Sequence, residues 1–341
     1  MMGLFIATKE KPGGQSAVGR YLTAIRDALA KRKFCVAWTD MTPWTGKRPP
    51  GNPATDLVIV DNQDATAIPA AYAVLAVQHG CAMEDGLRGR ASDLLALGRK
   101  QAMAARRKRT AWVACSDWAA YHCRQHTGTL ADRIIYGCVD TERFFPSERQ
   151  RTRDAKRPVV LHDCADVVVG KVTAELGKAF EVRALAVPAG KVPDAMREAD
   201  IWLCLSLSEG LPTVVMEAQA TGLVVVGTNV GVLWPHTGGA RLDARDKGVC
   251  AAVAPEQGAV IFDWKWRDSA AYVADWVRAA WGMRKSLNAR DWALRWYGQA
   301  AFGQKWLEAI AAAAKRFGIE GAGASPPKAP AETGRARRDA R

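Results

Sequence analysis

The chain has 341 residues, 49% of them hydrophobic, and a formal net charge of +13, a length and composition that suit two domains, each with its own core. No apolar run reaches the roughly 20 residues of a membrane span, and the eight cysteines, scattered from Cys35 to Cys250 without a C-x2-C pair, make neither disulfides nor zinc expected and suit a reducing cytosol. The positive excess points to a polyanionic contact, whether an anionic membrane surface, a nucleic acid or phosphorylated substrates.

Leu4 to Ala7 reads as a first strand, and the apolar part of this start is too short for a signal peptide. A turn containing Gly13 and Gly14 follows, then an amphipathic helix with Val18, Leu22, Ile25 and Leu29 on one face. Lys33 to Trp38, Leu57 to Val60 and Ala73 to Val77 are the next strands, so a βα alternation around a parallel sheet is expected. The third of them ends in Gln78, His79 and Gly80; a lone histidine there is ordinarily a turn or core residue. Residues 84–109 hold a helix with Leu94, Leu95 and Leu97 and a basic end. Complementing the helix dipole accounts for only part of that charge, which leaves Arg106, Arg107, Lys108 and Arg109 as a candidate patch for anionic lipid or for DNA phosphates. Ala111 to Ala114 is a further strand, and Cys115, Ser116 and Asp117 begin another helix.

Residues 147–157 are polar and charged enough to be a linker, and Pro158 to Leu161 opens a second domain. Glu181 to Val187 reads as a strand and residues 192–200 as a short helix. Ile201 to Leu205 is a continuous apolar run of the kind buried on both faces of a parallel sheet. Ser206, Ser208 and Gly210 break it, Pro212 suits a first helical position and Gly222 the position just past the helix end, before the apolar run Leu223 to Val226. The loop therefore lies at the carboxyl end of a strand, where open α/β sheets bind ligands, and the free N–H groups of residues 210–214 suit an anion. Glu209 ends the loop and Glu217 lies about one and a half turns into the helix; as two lone glutamates they would be solvated surface acids. Residues 268–316 are largely helical with tryptophans suited to packing, and residues 321–341 form a Pro, Ala, Gly and Arg tail expected to be disordered.

Taken together, SLSEGLPTVVMEAQATGLVVVGT (206–228) resembles the nucleotide-sugar site of the glycosyltransferase family 4 type of retaining GT-B enzymes. Their signature is E-x7-E, and Glu209 and Glu217 have that spacing, with Ser206, Gly210, Pro212 and residues 220–222 in register. The resemblance covers most of residues 1–316 and implies an α/β GT-B fold of two Rossmann-like domains facing a cleft. The first, acceptor domain is residues 1–146, the linker 147–157 and the nucleotide-sugar domain 158–299, with residues 300–316 crossing back onto the first.

It further implies that Glu209 faces the donor sugar, that His79 faces the reacting sugar and acceptor, and that Lys171 holds the diphosphate. Gly14, Ser208, Gly210, Leu211, Pro212, Thr213 and Glu217 would bind the donor, Glu217 through the ribose. The sequence departs from the pattern in two places. No arginine or lysine lies between Arg157 and Lys171, so half the usual phosphate clamp is missing and Lys178 is the nearest spare; and Tyr136, Gly137 and Cys138 replace the usual Asn-Gly before Val139 and Asp140. No Asp-x-Asp occurs, so no metal and no cofactor beyond the donor are expected. The implied activity is metal-independent, retaining, hexosyltransferase-like transfer from a nucleotide-diphosphate sugar to a hydroxyl of a cell-envelope glycan, lipid or small molecule. The rivals are a phage-type DNA glycosyltransferase acting on hydroxymethylated bases and a non-catalytic sugar-nucleotide binder. The expected location is cytoplasmic, free or at the inner membrane surface. Sugar, base, acceptor and oligomeric state stay open.

Overall fold

A computed structural model describes residues 2–11, 16–41, 44, 50–88, 93–164, 167–234 and 251–319. The apolar runs form buried strands, because a strand covered by helices on both faces has no polar side to show. In the N-terminal half the strands are β1 (Leu4–Ala7), β2 (Val36–Thr39), β3 (Leu57–Asp61), β4 (Ala73–Gln78), β5 (Thr110–Ala114) and β6 (Arg133–Ile134), all parallel in the order β2-β1-β3-β4-β5-β6, with only the edge strands β2 and β6 lacking buried residues. Helix α1 (Ala17–Ala30) follows β1, α2 (Ala82–Leu87) and α3 (Asp93–Ala104) follow β4, and α4 (Asp117–Thr127) follows β5. A short helix, α5 (Glu148–Thr152), leads to the second sheet.

That sheet comprises β7 (Val159–His162), β8 (Glu181–Ala184), β9 (Ile201–Cys204), β10 (Val224–Thr228), β11 (Ala251–Ala254) and β12 (Ala259–Phe262), in the order β11-β12-β10-β9-β7-β8. Its helices are α6 (Val167–Leu176), α7 (Val192–Arg197), α8 (Thr213–Thr221), α9 (Ala270–Gly282), α10 (Ala289–Tyr297) and α11 (Gln299–Phe317). Only the β11–β12 pair is antiparallel, a hairpin turned through Gly258 at φ +64. Two strands are shorter than the apolar runs suggest. β2 starts at Val36 because Lys33, at φ +65, turns the chain out of α1, and β8 ends at Ala184, where the Ala186 N–H bonds back to the Ala184 carbonyl.

Among the parallel strands each order reverses direction once, between β1 and β3 in the first sheet and between β7 and β9 in the second. The carboxyl ends of these strand pairs are where a doubly wound sheet leaves a crevice. Arg149 on α5 grips the buried Asp200, with its Nε 2.9 Å from both carboxylate oxygens, and Asp200 Oδ2 also accepts the Val159 N–H at 2.7 Å. One carboxylate thus ties the connecting helix to the roots of β7 and β9.

The last helix crosses back. α11 lies on α1, where Lys31 donates to Gln299 Oε1 at 3.0 Å and Arg32 to Gln304 Oε1 at 2.8 Å. Gly303 lets the helices close up, since a Cβ there would stand 3.3 Å from that of Ala28. Phe302 and Trp306 are buried against Tyr21 at ring separations of 5.6 and 6.1 Å. Trp306→Ala is therefore expected to lower the unfolding free energy by about 3–5 kcal/mol, as emptying a large core site does; a urea transition at the parent's midpoint would show that α11 docks without this side chain.

Candidate active site

Both crevices hold side chains that the sequence pattern singles out. At the β1/β3 crevice a cavity of about 380 Å³ is lined by Lys9, Glu10, Asp61, Asp64, His79 and Asp85, among others. Burial, and next the neighbouring Asp64, push the Asp61 carboxyl up to about 7, although the Asn62 N–H and the Gln63 amide bond to it. His79 closes the strand end with its ring edge-on to Tyr21, 4.9 Å between centroids. Its Nε2 is buried without a hydrogen-bond partner among the described residues, and burial pushes the imidazole down to about 3, so it is neutral at physiological pH.

At the β7/β9 crevice a smaller cavity of about 180 Å³ is lined by Asp163, Ser206, Glu209, Leu211, Pro212 and Thr213, with further residues of β9 and α8 behind them. The Ser206 hydroxyl donates to Glu209 Oε1 at 3.3 Å. Pro212 is the cap of α8 and lies one residue before its first turn; Gly222, at φ +85, ends the helix. Glu217 is half-buried on α8, and burial pushes its carboxyl from an ordinary 4.5 up to about 7 against the pull of Arg20 and Arg143. Arg20 crosses from α1 to the head of α8, its guanidinium donating to Thr213 Oγ1 at 2.9 Å.

Between the two cavities the halves of the molecule touch at Gly210. Its carbonyl accepts the Ser116 hydroxyl at 2.5 Å, and the Cys115 thiol lies at 3.6 Å. A Cβ on Gly210 would fall 1.7 Å from the His79 carbonyl oxygen, so any side chain must force the loop away. Ser208 is fully buried and its hydroxyl bonds Asp85 of α2 across the same seam. Arg88 donates to the Leu207 carbonyl at 2.7 Å.

Several expected site residues stand elsewhere than the sequence pattern implies. Glu209, Leu211, Pro212 and Thr213 share one cavity. Ser208 and Gly210 belong to the seam. Lys171 is exposed on α6 and is not among the residues lining the cavity that holds Glu209; a carboxyl, Asp163, occupies the carboxyl end of β7 there. Gly14 and the tail 321–341 lie outside the described residues. Arg20 and Arg143 were missed because they reach α8 across long stretches of chain, Arg20 by its bond to Thr213, 193 residues away, and Arg143 by its charge acting on Glu217.

The basic run is corrected by its packing. Arg107 turns inward and donates to the carbonyls of Pro69 at 2.8 Å and of Tyr72 and Arg109 at 2.6 Å, and to Thr110 Oγ1 at 3.1 Å. Arg109 lies over the Phe317 ring at 5.8 Å. Only Arg106 and Lys108 are exposed, so the four do not form one projecting patch. α3 ends at Ala104, and the turn into β5 brings Arg107 beside the segment before β4, where its guanidinium fork meets the carbonyls of Pro69 and Tyr72.

Residues 157–252 match the family model of glycosyl transferases group 1. No curated protein matches the chain by sequence. Among solved structures, sucrose-phosphate synthase from Thermosynechococcus elongatus superposes with a TM-score of 0.63 at 12% identity, over 92% of this chain and 99% of that one. HepE from Anabaena, in complex with UDP-glucose, gives 0.62 at 14% identity over 90% and 99%, and WaaG, a glycosyltransferase involved in lipopolysaccharide biosynthesis, gives 0.54 at 14% over 93% and 100%. The fold is that of a GT-B glycosyltransferase. The two crevices lie one in each half of that fold, and the halves meet at the Gly210 seam. Among the described residues no helix is long and apolar enough to cross a membrane.

Two outcomes follow for this GT-B cleft. A raised carboxyl disfavours the fold once it ionises, so the parent loses stability as pH climbs from 4.5 through about 7. Glu217→Gln removes that loss, and its melting temperature relative to the parent should be higher at about pH 8 than at about pH 5; an unchanged difference would show that Glu217 is solvated. Arg107→Gln is expected to lower the unfolding free energy by about 1.5–3 kcal/mol through its charged hydrogen bonds. Arg106→Gln should change it by less than about 0.5 kcal/mol; equal effects in denaturant titrations would make the two arginines alike.

Proposed function

We propose that the chain transfers a sugar from a nucleotide-diphosphate sugar to a hydroxyl acceptor with retention and without a catalytic metal, between domains of residues 1–146 and 158–299 joined by 147–157. The observation that supports this is Glu209 in the β7/β9 cavity just ahead of the α8 N-terminus, with Arg20 of the other half bonded to Thr213 at that terminus and close enough to act on Glu217 further along α8. The free N–H groups of α8 and the Arg20 guanidinium take the diphosphate, and Lys171 is left outside the clamp. Glu209 stabilises the sugar as positive charge develops at its anomeric carbon, and Glu217, displaced by burial toward its protonated form, hydrogen-bonds the ribose. Neutral His79 faces the acceptor.

A cavity of about 180 Å³ is smaller than the roughly 300–1,000 Å³ of ordinary ligand sites. Parting of the Gly210 seam would widen it for the donor, and closure would return the His79–Gly80 corner to the reacting sugar. On the acceptor side Glu10, Asp61, Asp64 and Asp85 face one another with Lys9 as counter-charge. That wall favours a hydroxyl-rich acceptor without phosphate at its reacting end, and it disfavours DNA. HepE is in complex with UDP-glucose, which makes that sugar nucleotide the first donor to try.

Glu209→Gln is expected to reduce turnover by about 10²–10³ fold or more while the protein keeps its melting temperature and its affinity for the free nucleoside diphosphate. A screen over UDP-, GDP-, ADP- and TDP-sugars identifies the donor first; retained turnover in Glu209→Gln with that donor would falsify the assignment. Added Mg²⁺ or Mn²⁺ should leave the initial rate unchanged, whereas a several-fold stimulation contradicts the metal-free reading.

A further inference from the structure

We propose that Glu84, His122 and His126 bind a divalent transition-metal ion, Zn²⁺ in the first instance, behind the wall on which the Gly210 loop rests. His122 and His126 stand at i and i+4 on α4, so their imidazoles leave the same face one turn apart. Glu84, on the neighbouring helix α2, points its carboxylate between them. Its Oε2 lies 3.3 Å from His122 Nδ1 and 2.9 Å from His126 Nε2, and the three ligand atoms all lie within 4.8 Å of one another. Bonds of about 2.0–2.2 Å in a tetrahedral site put ligand atoms about 3.3 Å apart, so Glu84 Oε2 already stands near that spacing from both rings and the cluster closes on an ion by side-chain shifts of at most about 1.5 Å. Two imidazoles and one carboxylate form a donor set that suits Zn²⁺ and leaves a position for water. The scattered cysteines have no bearing on such a site.

The surroundings fix the three ligands as outer partners of a metal site do. Glu84 Oε1 accepts the Arg88 Nε–H at 2.7 Å, which leaves Oε2 for the ion. His122 is buried and held by rings, with Trp118 at 4.4 Å, Tyr121 at 5.1 Å and Trp234 at 5.6 Å. Its Nε2 has no hydrogen-bond partner among the described residues, so packing aims the ring and Nδ1 carries its polar interaction. None of the three residues lines either crevice.

The site is placed to stiffen the closed arrangement. α2 follows the His79–Gly80 corner, and α4 begins at Ser116, whose hydroxyl holds Gly210. Arg88 reaches Leu207, and Trp234 stacks on Tyr121 at 5.4 Å, both across the seam. An ion joining α2 to α4 therefore braces the surface against which the loop carrying Glu209 packs. It takes no part in sugar transfer, so the inference stands whether or not the proposed activity does.

The test uses the full chain without a histidine tag, stripped with chelator and dialysed. Titration calorimetry with ZnCl₂ should show one equivalent bound, the melting temperature should rise with Zn²⁺, and Co²⁺ should give visible absorption bands of a low-coordinate nitrogen and oxygen site. His126→Ala should weaken Zn²⁺ binding at least about tenfold and abolish the thermal gain, while His162→Ala, at a distant histidine, keeps both. Should His126→Ala fail to fold, Glu84→Gln carries the same comparison, since it keeps the hydrogen-bonding shape and loses the charge. Zn²⁺ binding of equal strength in parent and variants, or none in the parent, overturns the proposal and leaves the cluster a hydrogen-bonded ion pair.

Discussion

A single hydrogen is all that the Gly210 α-carbon can present to the His79 carbonyl, because a Cβ would fall 1.7 Å from that oxygen. This contact lets the two halves of the molecule meet backbone to backbone, and the Ser116 hydroxyl on the Gly210 carbonyl fixes its register. Everything on either side is set by it. The loop that carries Glu209 runs directly into the seam, and the strand end that carries His79 forms the opposite lip. A larger residue would not merely lose a ligand contact; it would move one half of the site relative to the other.

The electrostatics of the cleft follow from the same closeness. Glu217 and Asp61 are both pushed up to about 7, chiefly by burial, and His79 is pushed down to about 3 by burial. All three are thus displaced toward their neutral forms, as removal from water demands. Arg20 is the cation that reaches the head of α8, and it comes from the other half of the chain. A phosphate entering between the halves would meet a helix N-terminus from one side and a guanidinium from the other, and closure would bring the two together. Such a division makes charge complementarity depend on the closed arrangement rather than on either half alone.

The supporting contacts share a pattern: one charged group satisfies several backbone atoms at a junction. Arg149 and Asp200 do so beneath β7 and β9, Arg107 at the turn into β5, and Arg290 takes the carbonyls of Phe144 at 2.5 Å, Ala220 at 2.6 Å and Thr141 at 3.1 Å. A planar guanidinium suits this because several donors diverge from one rigid plate. The excess of positive charge is in part an internal scaffold.

Local patterning determined much of this protein. Continuous apolar runs with turn residues between them settled buried parallel strands, because period and length are properties of a short segment. The strand, loop, helix and strand unit around Glu209 and Glu217 was legible for the same reason, since the Gly222 cap and the spacing of the two acids are local. What the tertiary structure decided were the pairings between distant segments. Arg20 meets Thr213, Asp85 meets Ser208, and Glu84 meets two histidines of another helix, none of which leaves a local signature. Direction was likewise decided by packing. Arg107 was expected in a projecting basic patch and Lys171 on the diphosphate, yet the half-buried Arg107 guanidinium turns in to the carbonyls of another segment while Lys171 is exposed on α6 and is not among the residues lining the Glu209 cavity. A sequence states that a charge exists; only the folded chain fixes whether carbonyls or water surround it, because that depends on which segments arrive beside it.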